Sequence, residues 1–211
     1  MTTFTSMIPE GAPGVSGDCV APEIASILSV DRTDRWCAQQ IAPGIWVGSV
    51  KAAPYSPSNG KPNEIKARYL QSQNIRYIIN CGVHPTKSSA TAMIPPPGFH
   101  YLYLNGLQEN SPNLSTYLTE CVNFFAAAHA SNSAILVHCA MGIYRSPAVA
   151  AALLIAQSNG ELTVGDQRTG AMSIIQKARS RATSNPTLIR QLEMWRYNMW
   201  PPQQPHKRTK R

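Results

Sequence analysis

No stretch of this 211-residue chain is long and apolar enough to cross a bilayer, although 43% of its residues are hydrophobic; that material goes instead into one sizeable core with tails. The first residues, Met1 to Val20, lack both the basic n-region and the apolar h-region of a secretory signal. Cysteines are few. There are five, an odd number without regular spacing, which argues against a disulfide framework and for a reducing compartment. The expected setting is therefore intracellular, cytoplasmic and/or nuclear. Cys19, Cys37 and Cys121 read as ordinary free thiols. No second CxxC or HxxxH exists to complete a metal site around His138-Cys139, and neither a Walker A pattern nor a Gly-x-Ser-x-Gly elbow occurs. The glycines from Gly11 to Gly17 precede any strand and have the wrong spacing for a dinucleotide fingerprint. No metal, no cofactor and no internal repeat is expected.

Acidic residues are also scarce, 11 against 19 Lys and Arg, for a net charge of +8. Lys207, Arg208, Lys210 and Arg211 supply four of those positives. The body is thus mildly basic, which suits a site that attracts phosphate dianions, and the tail offers a nuclear address, a polyanion contact or simply a solvated end. Along the chain, residues 1–20 form a Gly-, Pro-, Ser- and Thr-rich leader and 21–40 an extension with a short helix from Pro22 to Val30. Residues 41–199 form the main domain and 200–211 the basic tail. Within the domain, helices are expected over 63–73, 114–130, 164–177 and 187–199, with strands at 100–104 and 134–138. Irregular stretches cover 52–62 and 83–98. Alternating strands and helices imply an α/β fold: a mixed central sheet flanked by helices on both faces, with the site at the C-terminal edge of a strand.

One segment carries chemistry. Ile135-Leu136-Val137-His138 is a short apolar strand, Cys139 to Arg145 a loop, and Ala148 to Ala156 an Ala-rich helix that is apolar on nearly every side and therefore buried. A loop feeding a helix N-terminus aims backbone N–H groups and the positive end of the helix dipole at one point, where a phosphate can be held. Cys139 sits at that point, and the same field favours thiolate over thiol. The planar fork of Arg145 can grip two phosphate oxygens. Gly142 allows the positive φ of a tight cradle, Pro147 suits a first helical turn, and Ser146 places a hydroxyl within reach of the sulfur.

His138-Cys139, Gly142 and Arg145-Ser146 match the HCxxGxxRS signature, and the chain from about residue 40 to 198 resembles the small dual specificity branch of the cysteine-dependent protein phosphatases. Residues 41–49 resemble that family's opening strand, 74–80 its next buried strand, and Asn185-Pro186 with Gln191-Leu192 its closing helix. The resemblance implies displacement at phosphorus without a metal. Cys139 would form a phosphocysteine, and the loop from Ala140, Met141, Gly142, Ile143 and Tyr144 to Arg145 would hold the phosphate. Ser146 would steady the departing sulfur and His138 would orient the loop and hold down the thiolate pKa. Its substrates would be phosphorylated proteins, at tyrosine and at serine or threonine.

The sequence departs from that family at the general acid. The position that usually holds an aspartate holds Gln108, and Glu109, the only acidic residue between Glu64 and Glu120, is the one carboxylate available in that loop. Either Glu109 is the acid through a one-residue shift, or it is a solvated carboxylate. Tyr144 stands where Ser or Asn usually precedes the arginine. An RNA 5′-phosphatase, favoured by the basic tail, and a phosphoprotein-binding pseudophosphatase, favoured by Gln108, are the alternatives. Cys81, at the end of the neighbouring strand, is either a small core residue or a redox partner for Cys139.

Overall fold

The strand that delivers Cys139 is buried along its whole length. This strand, β5 (Ala134–Cys139), has two parallel neighbours, β2 (Ile45–Ser49) and β3 (Ile75–Asn80). Strands enclosed on both faces read as continuous aliphatic runs, and Ile135-Leu136-Val137 beside Ile78-Ile79 is such a run. The computed structural model describes residues 38–55, 61–82, 96–110, 112–165 and 169–201. The 1–20 leader, the 22–30 helix, Cys19, Cys37 and the basic residues of the tail lie outside them.

The sheet order is β1-β2-β5-β3-β4, with β4 (His100–Tyr103) parallel to β3 and only β1 (Gln39–Ala42) antiparallel to its neighbour. Helix α1 (Glu64–Ser72) covers one face, where Leu70 packs with Ile75, Ile78, Phe99 and Leu136. Its first turn is capped by Asn63, whose side chain accepts from the Lys66 N–H at 3.0 Å. The other face carries α2 (Leu114–Ala130), α3 (Arg145–Gln157), α4 (Gly170–Ala178) and α5 (Pro186–Met199), joined in one apolar core with Val47, Ile79 and Val137. Asn185 caps α5 through the Thr187 and Leu188 N–H groups, with Pro186 at the first helical position. This is the α/β arrangement with helices on both faces that the sequence implies.

Helix α3 is the pillar. Every residue from Ser146 to Ala156 is buried, and its alanines let α2, α4 and α5 approach closely. The loop that precedes it is therefore braced by a helix buried from Ser146 to Ala156.

Two elements differ from expectation. Residues 41–49 are not one strand: Pro43 and Gly44 reverse the chain, so that Ala42 pairs with Ile45 in an antiparallel hairpin. The first strand also begins at Gln39, two residues before the expected domain start. Helix α4 starts at Gly170 rather than near Val164, because Gly165 sits at φ +70°, outside the helical region. The strand at 75–80 and the helices at 64–72, 114–130 and 186–199 fall within a residue of their expected limits.

Candidate active site

Strand β5 ends at Cys139 and α3 begins at Arg145, so the loop between them lies over the N-terminus of the buried helix. Cys139 is 2% exposed. The Gly142 N–H donates to its Sγ at 3.1 Å, and the Ser146 hydroxyl lies 3.3 Å from that sulfur and 3.3 Å from the Gly48 carbonyl oxygen. One proton serves one acceptor at a time, so Gly48 gives the hydroxyl a resting partner. Burial alone would push the Cys139 thiol up. Hydrogen bonds from the Ser146 hydroxyl and backbone and from the Gly142 N–H, with the positive charge of Arg145, outweigh it and hold the thiol below its ordinary value.

Arg145 is braced by carbonyls: Nη1 donates to Cys81 O at 3.0 Å and to Leu107 O at 3.5 Å. Its Nε is buried and, among the described residues, has no hydrogen-bond acceptor. The Glu109 carboxylate stands 3.7 Å from that nitrogen, outside hydrogen-bond distance but within ion-pair range. Arg145 thus keeps a buried cationic N–H that makes no hydrogen bond among the described residues, its charge faced by Glu109 and felt by Cys139. Gln108, in contrast, is exposed.

Ala140 and Met141 face solvent, Gly142 is buried, and Ile143 and Tyr144 are half-buried, the latter packed against the core. Gly142 has φ +70°, and a Cβ there would fall 2.5 Å from Arg179 Nη2 and 2.7 Å from Gly48 O. Both the backbone twist and the space demand glycine.

His138 is fully buried on the opposite sheet face, its ring edge-on to Tyr55 at 6.2 Å between centroids. Burial pushes the imidazole down to about 4, against an opposing pull from the Cys139 backbone, so the ring is neutral near pH 7. Cys81 follows Asn80, which pairs with His138 across the sheet, and the Cys81 N–H donates to His138 O at 2.7 Å. Its thiol is pushed well up, by burial first and by Cys139 second. Cys81 and Cys139 thus end adjacent parallel strands. Among the described residues no group of three or more His, Cys, Asp or Glu is placed to hold a metal ion.

Sequence reasoning missed Arg179. This arginine at the C-terminal end of α4 is 1% exposed, and it donates from Nε to Gly142 O at 2.8 Å and from Nη2 to Met141 O at 3.2 Å. Nothing local distinguishes it from Arg181 two positions on; a partner 37 residues away leaves no periodic trace.

The profile of the dual specificity phosphatase catalytic domain matches residues 60–198. The Arabidopsis thaliana dual specificity protein phosphatase 1B is 29% identical over 156 residues, covering 74% of this chain and 80% of that protein. Two solved structures share the fold. A human tyrosine phosphatase-like serine/threonine/tyrosine-interacting protein has TM-score 0.59 and 24% identity, covering 76% of this chain and 96% of that one. A mouse dual specificity phosphatase complexed with zinc tungstate has TM-score 0.57 and 23% identity, covering 77% and 87%. The chain therefore belongs to the dual specificity phosphatase family and is a cysteine-based protein phosphatase.

Proposed function

We propose that the chain hydrolyses phosphate monoesters on tyrosine and on serine or threonine of phosphorylated proteins through a phosphocysteine at Cys139. The observation that carries this reading is the combination of a sulfur that accepts from Gly142 and lies beside the Ser146 hydroxyl with the buried Nε of Arg145, an N–H that makes no hydrogen bond among the described residues. The Cys139 thiolate attacks phosphorus, the P–O bond to the side-chain oxygen breaks, and that oxygen takes a proton from Glu109 or from water. Arg145 and the loop amides hold the equatorial oxygens as charge shifts. Water then attacks phosphorus, the S–P bond breaks, inorganic phosphate leaves, and the sulfur departs as thiolate with the Ser146 hydroxyl turned toward it. His138, neutral, supplies shape and orientation rather than charge.

The tungstate carried by the mouse relative is an oxyanion of the kind this cradle would take. A reducing, intracellular setting, cytoplasmic and/or nuclear, fits a reactive thiolate. The exposed Gln108 favours a second reading, a phosphoprotein-binding pseudophosphatase, and the comparison fold of the serine/threonine/tyrosine-interacting protein is compatible with it. The test is phosphate release by wild type and Cys139→Ser across an aryl phosphate, phosphopeptides and a 5′-triphosphorylated RNA. Release from phosphopeptides that vanishes in Cys139→Ser supports the proposal. Binding without release supports the pseudophosphatase, and release from the RNA alone supports the RNA 5′-phosphatase.

A further inference from the structure

Four consecutive carbonyl groups of the loop are held from outside. The Val50 N–H donates to Ala140 O at 3.4 Å, Arg179 Nη2 to Met141 O at 3.2 Å, Arg179 Nε to Gly142 O at 2.8 Å, and the Thr183 N–H to Ile143 O at 2.9 Å. All the described peptide bonds are trans, and in a trans unit the N–H points opposite to the C=O. Fixing the Met141 oxygen therefore fixes the direction of the Gly142 N–H, which is the donor 3.1 Å from Cys139 Sγ. The same logic turns the amides of Met141, Ile143 and Tyr144 away from their carbonyl anchors.

Two of the four anchors come from one side chain. A planar fork can serve several acceptors in fixed directions where an ammonium cannot. Arg179 has a third partner, the Gln39 Oε1 in β1, bonded to Nη1. Gln39 lies 140 positions away and ahead of the region that the family profile matches.

We propose that Gln39 and Arg179 are a positioning pair for the catalytic loop: Gln39 fixes the rotation of the guanidinium, and the guanidinium fixes the amide that stabilises the thiolate. Neither residue touches the sulfur. The antiparallel strand before the matched region thereby helps to position the loop. The inference rests on the assignment of Cys139 as nucleophile and takes it one shell outward.

The experiment is the pH dependence of Cys139 alkylation by iodoacetamide, resolved by mass spectrometry of the Cys139 peptide, in wild type, Arg179→Lys, Gln39→Leu and Gln39→Glu. Turnover of an aryl phosphate and urea unfolding are measured in parallel. Arg179→Lys and Gln39→Leu should move the alkylation midpoint to higher pH, about tenfold in rate at pH 6 for each unit moved. Turnover in Arg179→Lys should fall on the order of 10²-fold, the usual consequence of a misplacement of about 1 Å. Gln39→Glu, which keeps an acceptor for the fork, should restore the wild-type profile.

Midpoints of Arg179→Lys and Gln39→Leu that superimpose on wild type in folded protein would overturn the proposal. If Arg179→Lys does not fold, Gln39→Leu decides alone. Alkylation shifts in a protein that releases no phosphate from any substrate would overturn the hydrolase reading and leave the positioning pair standing.

Discussion

The Glu109 carboxylate stands 3.7 Å from Arg145 Nε, while Gln108, one residue earlier, is exposed. A one-residue offset in this loop therefore brings a carboxyl to the site from the neighbouring position. On the reading proposed above, Glu109 is the candidate general acid for the leaving oxygen, and it faces the guanidinium of Arg145 within ion-pair range.

Glu109→Gln should cut turnover of phosphoserine peptides by roughly 10² to 10⁴ and leave an activated aryl phosphate nearly untouched, since a good leaving group needs no proton. Binding of inorganic phosphate should rise, because the competing negative charge at Arg145 is gone. Gln108→Asp should help phosphoserine turnover only where Glu109 is absent. Equal turnover of both substrate types in wild type and Glu109→Gln would remove Glu109 from the chemistry.

Cys139→Ser should abolish turnover and retain phosphate binding, whereas Arg145→Ala should lose both, because one residue makes the covalent bond and the other holds the charge. Vanadate should inhibit wild type, and chelators should not. Isothermal titration with phosphate and a malachite-green assay separate the two losses. Residual turnover in Cys139→Ser would end the phosphocysteine mechanism.

Much of this site is legible in the sequence, and for a local reason. Strand, loop and helix from Ile135 to Ala156 are contiguous, so the anion cradle, the sulfur and the arginine announce themselves by spacing. The hairpin at Pro43-Gly44 is hidden because its first strand is only four residues long and half of it is glutamine, which leaves no apolar run of its own. The start of α4 is hidden because Val164 and Ala171 stand two helical turns apart, although residues 165–170 hold no apolar side chain and Gly165 takes a positive φ. Arg179 and Gln39 are hidden for a different reason: their contacts close loops of 37 and 140 residues, and a hydrogen bond at that range imposes no pattern on either sequence neighbourhood. The choice between Gln108 and Glu109 depends on side-chain direction in an irregular loop, which residue counting does not reach.

Gly142→Ala should cut activity sharply and cost some stability. The added methyl meets Arg179 Nη2 and Gly48 O well inside contact distance at a φ of +70° that disfavours alanine, so the loop must shift. A shift that moves the Gly142 N–H off the sulfur should raise the alkylation midpoint of Cys139 and cut turnover about 10²-fold. Wild-type alkylation in Gly142→Ala would mean that the loop tolerates the methyl without turning its amides.

Burial of His138 should make stability fall in mild acid. Its folded value of about 4 lies below the ordinary 6.5, so between those two values the unfolded chain binds the proton and the folded one does not. The contribution is complete above about pH 6.5 and is lost progressively as pH falls toward 4. From pH 7 to pH 5 the loss should be about 2 kcal/mol. Urea midpoints for wild type and His138→Gln at both pH values measure it as a difference of slopes, which is insensitive to any constant destabilisation by the substitution. Parallel slopes would place the imidazole in contact with solvent.

Cys81 and Cys139 should close a reversible disulfide under peroxide. They follow Asn80 and precede the loop on strands paired Ile79 to Val137 and Asn80 to His138, and both belong to the same apolar core. Neighbouring parallel strands lie about 4.8 Å apart, inside the range of roughly 4.4 to 6.8 Å between Cα atoms that a disulfide needs. The two thiols are unlike, Cys139 held low and Cys81 pushed high, so peroxide oxidises the first to a sulfenic acid while the second stays a thiol. Attack of the Cys81 sulfur on the sulfenic acid forms the S–S bond and releases water, before further peroxide can reach the irreversible sulfinic state. Wild type inactivated by peroxide should recover with dithiothreitol, and Cys81→Ser should not. Full recovery of Cys81→Ser, with no Cys81 to Cys139 linked peptide by mass spectrometry in wild type, would leave Cys81 as a core residue that happens to end the neighbouring strand.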